Sequence, residues 1–271
     1  MAHVEMSHEL EVALRLAHLA ADAIMAFYPA GLSVQHKAGN EPVTEADRVA
    51  DAIVIDGLRS AFPADGLLTE ESDDDLSRLV KERVWIVDPL DGTSEFIDRT
   101  GEFSVQIALA VRGRPVLGVV AQPARERLFY AVRGQGAYQV EAGKTMRLRV
   151  SEEHSPSRMS LVVSRSHSSP FIERAREALG IAHAHRAGSV GIKVSMVAQG
   201  AFDLYLATTI AKEWDFCAPH VLLEEAGGAL TDLCGTELTY NKADVALCSG
   251  LIASNGLAHT EIVETLLGLL M

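Results

Sequence analysis

Cysteine is scarce in this chain of 271 residues. Cys217, Cys234 and Cys248 are odd in number and form no C-x-x-C pair, which excludes a closed disulfide framework and a zinc site and leaves buried free thiols as the expectation. Basic residues are also few: 24 Lys and Arg face 37 Asp and Glu, a formal net charge of −13. Such a field repels nucleic-acid polymers and anionic membrane surfaces, so neither is expected as a partner. No uninterrupted apolar run approaches the ~20 residues that a membrane-crossing helix needs. Met1-Ala2-His3-Val4-Glu5 offers neither a basic start nor an apolar signal core, and a cytoplasmic protein is expected. Repeats and low-complexity tracts are absent. What is plentiful is apolar surface, 48% of residues, enough for one large α/β domain or two smaller ones.

The periodicity orders that apolar content. Leu10, Leu14, Ala17, Ala21, Ile24 and Tyr28 recur at helical spacing behind Ser7, the expected cap. Lys37 to Pro42 reads as a polar loop. Thr44 and Asp47 then have capping-box spacing at the start of a second helix through Val49, Ile53 and Leu58. From Phe103 to Val150 the period changes to two, with turns at Arg112-Gly113-Arg114-Pro115, Gly134-Gln135-Gly136 and Ala142-Gly143-Lys144, which predicts an antiparallel meander. Beyond Ser151 to Pro156, strands (Met159 to Ser164, Phe202 to Leu206, Gly250 to Ser254) alternate with helices (near Pro170 to Leu179, Ser189 to Gln199, Trp214 to Ala226, Thr260 to Leu270). The chain is therefore expected to divide into an α+β part, residues 1–155, and an α/β part, residues 156–271. Helices and sheets in this order predict a layered α/β (α+β) fold.

Chemistry concentrates where the apolar run Val84-Trp85-Ile86-Val87 meets Asp88-Pro89-Leu90-Asp91-Gly92-Thr93. Two carboxylates at a strand end, around a proline-stiffened turn, suit a hard divalent cation. Gly92 lets backbone approach an anion, and Thr93 is placed to open a short helix. The same residues also serve as ordinary turn and capping residues. A haloacid dehalogenase-type phosphatase puts Asp-Gly-Thr after a strand too, but its nucleophilic aspartate falls here on Pro89, which disfavours an aspartyl-phosphate. Two further acidic clusters stand at element ends: Glu70-Glu71 after Leu67-Leu68-Thr69, and Asp215 at the start of a helix that stops at Gly227-Gly228. His183 and His185 are expected in solvent, because magnesium sites prefer oxygen.

Glu70-Glu71-Ser72, Asp88 to Thr93, and Trp214-Asp215 followed by Ala218 and Glu225-Ala226-Gly227-Gly228 resemble the signature motifs of the inositol monophosphatase superfamily. Its members are lithium-sensitive, magnesium-dependent phosphomonoesterases. The likeness runs in order from about Ala17 to Asn255. Ser94-Glu95-Phe96-Ile97, Gly101 to Val105, Val163 to His167 and Gly188 to Lys193 further resemble the CysQ-type 3'(2'),5'-bisphosphate nucleotidases, which convert 3'-phosphoadenosine 5'-phosphate to AMP and phosphate. Two departures stand out. Thr69 replaces the glycine usual before the paired glutamates, and Ala207-Thr208-Thr209 lacks an arginine often found there.

The resemblance implies an α-β-α-β-α sandwich with two or three Mg²⁺ per site. Glu70, Asp88 and the Leu90 carbonyl would hold one ion; Asp88, Asp91 and Asp215 would hold a second. Thr93, oriented by Asp47, and Glu70 would draw the proton from the attacking water. Backbone N–H groups of Gly92, Thr93 and Ser94 would clamp the phosphate. Gly188, Ser189 and Lys193 would meet a second phosphate, and His167 an adenine face. The implied partner is a small phosphorylated substrate, a nucleotide bisphosphate first and an inositol or sugar phosphate second. A non-catalytic regulatory scaffold is a third reading, and dimers occur in the superfamily.

Overall fold

The computed structural model describes residues 6–28, 35–36, 42–166 and 169–270, at 35–36 by backbone alone. His167 and most of the 37–42 loop lie outside the described residues. Seven α-helices are described: α1 (Ser7–Phe27), α2 (Glu45–Ala61), α3 (Thr93–Ile97), α4 (Pro170–Ala178), α5 (Val190–Ala198), α6 (Glu213–Glu225) and α7 (His259–Gly268). One sheet has seven strands: β1 (Gly66–Thr69), β2 (Arg83–Asp91), β3 (Ser104–Val111), β4 (Arg114–Gln122), β5 (Arg127–Val132), β6 (Gly136–Glu141) and β7 (Lys144–Arg147), side by side in chain order. The other has five: β8 (Leu161–Ser164), β9 (Ala184–Ala187), β10 (Leu204–Ala207), β11 (Ala229–Asp232) and β12 (Leu251–Ser254), in spatial order β9-β8-β10-β12-β11.

Strand alternation sends successive side chains to opposite faces, and here both faces of the large sheet are covered. Trp85 and Val87 of β2, with Ile107 and Leu109 of β3, pack against Val12, Leu16 and Ala20 of α1 and Val54 and Leu58 of α2. Val84, Ile86, Ala108 and Ala110 face the other way, onto Val194 and Val197 of α5 and Phe216, Val221 and Leu222 of α6. The same core takes in Val162, Tyr205 and Ala253 from the inner face of the small sheet. Leu161, Leu204 and Ile252 on its outer face cover Ile172 and Ala175 of α4 and Ile262 and Leu266 of α7. The layers run α1/α2, large sheet, α5/α6, small sheet, α4/α7: an α-β-α-β-α sandwich.

Ser7 is the first helical residue of α1 rather than its cap; Met6 stands at that position and makes no side-chain capping bond. Met6 is buried, and Leu10 N–H donates to its carbonyl, so core packing starts the helix one residue early. The capping box of α2 forms as its spacing predicts, Asp47 Oδ2 accepting from Thr44 N–H at 2.8 Å and from Thr44 Oγ1 at 2.6 Å. All three thiols are free, but only Cys217 is buried; Cys234 and Cys248 are exposed, in polar loops outside the strands that fill the core.

Candidate active site

Residues three apart on a regular strand face opposite ways. Asp88 continues the Val84–Ile86 face of β2, so regular pleating would turn Asp91 toward α1 and α2. Between Asp88 and Asp91 the β2–β3 register shifts, at Pro89, which has no N–H to give the ladder. The irregularity brings Asp91 to the α5 side. There Asp91 Oδ2 accepts from Ser189 Oγ at 2.5 Å, Gly191 N–H at 2.8 Å, Gln106 Nε2 at 2.8 Å and Ser104 Oγ at 3.4 Å. The parallel β1–β2 register sets Thr69 beside Val87 and therefore Glu70 beside Asp88. Thr69 fixes that strand end from behind: its hydroxyl donates to Asp51 Oδ1 on α2, while Ser72 Oγ donates to Asp51 Oδ2 at 2.7 Å. Asp215, in the first turn of α6, accepts from Lys212 N–H at 2.7 Å.

Glu70, Asp88, Leu90, Asp91, Gly92, Thr93, Ser94, Ser189, Lys193 and Asp215 all line one cleft of about 860 Å³. Asp47 sits behind it and accepts from Thr93 Oγ1 at 3.0 Å through the oxygen its capping role leaves open, so both expected contacts coexist. Gly92 holds φ +94°, and a Cβ there would come within 3.0 Å of the Glu102 carbonyl, so the turn into α3 requires glycine. Gly188 stands back from the cleft. A Cβ on it would lie 2.3 Å from Glu95 Cγ, and its N–H donates to Glu102 Oε2 at 2.8 Å, so its glycine serves close packing. Ser189 caps α5, accepting from Ile192 N–H at 3.1 Å while its hydroxyl reaches Asp91. Lys193 is 2% exposed, and its Nζ donates to the Ser189 carbonyl at 2.7 Å beside the Tyr205 ring. The structure thus engages Ser189 and Lys193 around Asp91. The Ser189 hydroxyl and the Lys193 ammonium, expected to meet a second phosphate, are bonded within the protein at the wall of the cleft.

Electrostatics give the cleft its character. Burial, then the charges of Glu70, Asp91 and Asp215, push the Asp88 carboxyl well above the usual carboxylate range. Burial raises Asp91 as well, against the pull of the Lys193 ammonium and the Ser189 hydroxyl. Burial also lifts Asp47, opposed by its bonds from Thr44 and Thr93. Asp88 Oδ1 accepts from Leu90 N–H at 3.1 Å, but Asp88 Oδ2 is buried without a hydrogen-bond partner among the described residues. A buried carboxylate oxygen that faces three more acids and lacks a donor is a place that attracts a cation. Among the described residues, no three acidic, histidine or cysteine side chains close on one point tightly enough to hold an ion as they stand. The donor set, oxygen throughout, nevertheless fits a hard divalent cation in kind.

Sequence reasoning missed several members of the site. Ser104 and Gln106 are fully buried polar residues on β3 that carry Asp91, and Glu95, 6% exposed, lines the cleft. A glutamine in the otherwise apolar Val105-Gln106-Ile107-Ala108 was the available signal. His183 and His185 are exposed, as expected, His185 stacking on Phe202.

Comparison with known proteins agrees with this geometry. A sequence model of the inositol monophosphatase family matches residues 5–267. The 3'(2'),5'-bisphosphate nucleotidase CysQ of Escherichia coli (strain K12) is 36% identical over 250 residues, 90% of this chain and 99% of that protein. Among solved structures, an IMPase of Thermotoga maritima is similar with a TM-score of 0.83 at 28% identity, covering 97% of this chain and 98% of the other. CysQ from Bacteroides thetaiotaomicron, described as a bacterial member of the inositol monophosphatase family, has a TM-score of 0.79 at 30% identity over 93% of this chain and 98% of its own. The sandwich, the cleft between its layers and these likenesses agree: the chain belongs to the inositol monophosphatase family.

Proposed function

We propose that this protein is a Mg²⁺-dependent phosphomonoesterase that hydrolyses 3'-phosphoadenosine 5'-phosphate to AMP and phosphate. The observation that carries the reading is Asp88 Oδ2, buried beside the charges of Glu70, Asp91 and Asp215 with no donor among the described residues. Residues 1–155 supply most of the ligands in this reading, and residues 156–271 supply Asp215 and the substrate-selecting groups.

Glu70, Asp88 and the Leu90 carbonyl would hold one ion, and Asp88, Asp91 and Asp215 a second, with room left open for a third near Glu70. Bound there, Mg²⁺ supplies a lowered water pKa and positive charge opposite the phosphoryl and leaving oxygens. The chain's own residues do the rest. Thr93 donates its hydroxyl hydrogen to Asp47, which leaves an oxygen lone pair to accept a hydrogen bond from the attacking water and orient it; the water's proton would end on a carboxylate, that of Glu70 or, by relay through the Thr93 hydroxyl, that of Asp47. The first N–H groups of α3, at Gly92, Thr93 and Ser94, lack partners within the helix and donate to the phosphate oxygens. Asp47, kept in place by Thr44, is a positioning residue for Thr93.

Hydrolysis of inositol 1-phosphate or a sugar phosphate by the same machinery is the second reading, favoured by the likeness to the Thermotoga maritima IMPase. Phosphate release from 3'-phosphoadenosine 5'-phosphate and from inositol 1-phosphate, measured side by side, separates the two. A higher kcat/KM on the nucleotide is expected. A higher value on inositol 1-phosphate moves the protein to the second reading, and no release from either removes both.

A further inference from the structure

A bisphosphate nucleotide brings two strongly anionic groups into a cleft lined by Glu70, Asp88, Asp91, Glu95 and Asp215. In the proposed reading, cations at the acidic end neutralise only the phosphate being cleaved. The other one needs a positive charge supplied by the chain itself. Two lysines line the cleft. Lys193 is buried, tied to the Ser189 carbonyl and held close to Asp91. Lys212 is different. It is half-buried at the cleft wall, and its side chain makes no hydrogen bond or ion pair with any described residue; its engagement is through the backbone, the N–H donating to Asp215 Oδ2.

Its backbone is fixed all the same. Ala211 and Lys212 form a short antiparallel ladder with Ala246 and Leu247, and Lys212 leads directly into α6. Thr208 and Thr209, on the segment from β10 to this ladder, line the same cleft and add two hydroxyls that no hydrogen bond occupies among the described residues. A lysine whose side chain bonds no described residue, two hydroxyls and a short strand ladder together line this part of the cleft.

We propose that Lys212, with Thr208 and Thr209, is the subsite for the second phosphate and the specificity-determining element for bisphosphate over monophosphate esters. The proposal rests on the bisphosphate reading above. Substitution at Lys212 leaves the backbone donor to Asp215 in place, so the side chain can be tested apart from the acidic cluster.

The test compares KM and kcat for 3'-phosphoadenosine 5'-phosphate with those for adenosine 3'-monophosphate, which lacks the second phosphate, in the wild type, Lys212→Ala, Lys212→Gln and Lys212→Arg. Loss of a charge-assisted contact predicts that KM for the bisphosphate rises about 10- to 100-fold in the Ala and Gln variants. The ratio of the two KM values shifts by nearly the same factor, kcat changes little, and Arg recovers most of the loss. Equal losses on both esters overturn the proposal, because they place Lys212 with the acidic cluster and not with the second phosphate. A bisphosphate preference that survives Lys212→Ala overturns this proposal alone, whereas a wild type silent on both esters overturns the parent reading and this one with it.

Discussion

Asp91 shows how much of the site is settled one side chain at a time. A single oxygen of this buried carboxylate takes donors from β3, from the cap of α5 and from the α5 backbone, so its orientation is fixed before any ligand arrives. Asp91→Asn preserves the volume and one acceptor oxygen but removes the charge. The expected outcome is a folded protein, by far-UV circular dichroism, whose phosphate release falls about 100-fold or more, since in the proposed reading several kcal/mol of transition-state stabilisation go with the cation it would help hold. Retained turnover would remove Asp91 from the metal site. The acidic residues were legible in the sequence because Asp88, Asp91 and Gly92 sit where a strand pattern breaks at a proline and a glycine, a grammar that is local. The residues that hold Asp91 were not. Both faces of β3 are buried, so its alternation marks no special side for Ser104 and Gln106, and their role depends on α5 arriving from about 85 residues away, as the Ser104–Ser189 contact at 2.9 Å records.

Among the elements, α6 carries the heaviest positional duty. Its first residue, Glu213, is fully buried and accepts from Asn241 N–H at 2.6 Å and Lys242 N–H at 2.9 Å. Arg78, on a single helical turn after β1, reaches the same loop through Asn241 Oδ1 at 2.7 Å and the Lys242 carbonyl at 3.0 Å. Asp215 is anchored two residues beyond this clamp. Glu213→Ala leaves the Asn241 and Lys242 N–H groups, half-buried and exposed respectively, without this acceptor, and a loss of about 1–3 kcal/mol in stability is expected from urea unfolding. The far layer offers a pH test. His259 at the start of α7 bonds Thr231 Oγ1 at 2.9 Å and Ser254 Oγ at 2.8 Å, and burial lowers its pKa below 6.5. The unfolded chain therefore binds the proton first, so the contribution of His259 is fully present above pH 6.5 and is lost as pH falls toward its folded-state value. Melting temperatures of wild type and His259→Gln should converge as pH drops from 7.5 through that window; a constant gap would assign His259 a purely steric part. Long elements such as α1, α2 and the β3–β7 meander were readable from period alone. β9 was not, because Ala184, His185 and Arg186 are an exposed, mostly polar edge that pairs only with β8.

At the scale of the whole molecule, the charge of −13 and the proposed cation-dependent chemistry belong together. An acidic field gathers divalent cations and resists an anionic substrate until they are bound. Screening weakens that attraction, so the Mg²⁺ concentration giving half-maximal phosphate release should rise several-fold between about 50 and 500 mM KCl. No change with salt would confine the electrostatics to the cleft itself. The layered architecture followed from the order of periods along the chain, whereas the cleft needed the two sheets to meet across α5 and α6, a long-range event that no local pattern states. The central claim is that the cluster around Asp88 works only with a divalent cation, and the direct measurement is phosphate release from 3'-phosphoadenosine 5'-phosphate by the purified protein during a Mg²⁺ titration after chelator treatment. The account predicts no release in chelator and saturable recovery with Mg²⁺ in the wild type, with no recovery in Asp88→Asn; release that persists in chelator, or an Asp88→Asn variant as active as the wild type, would contradict it.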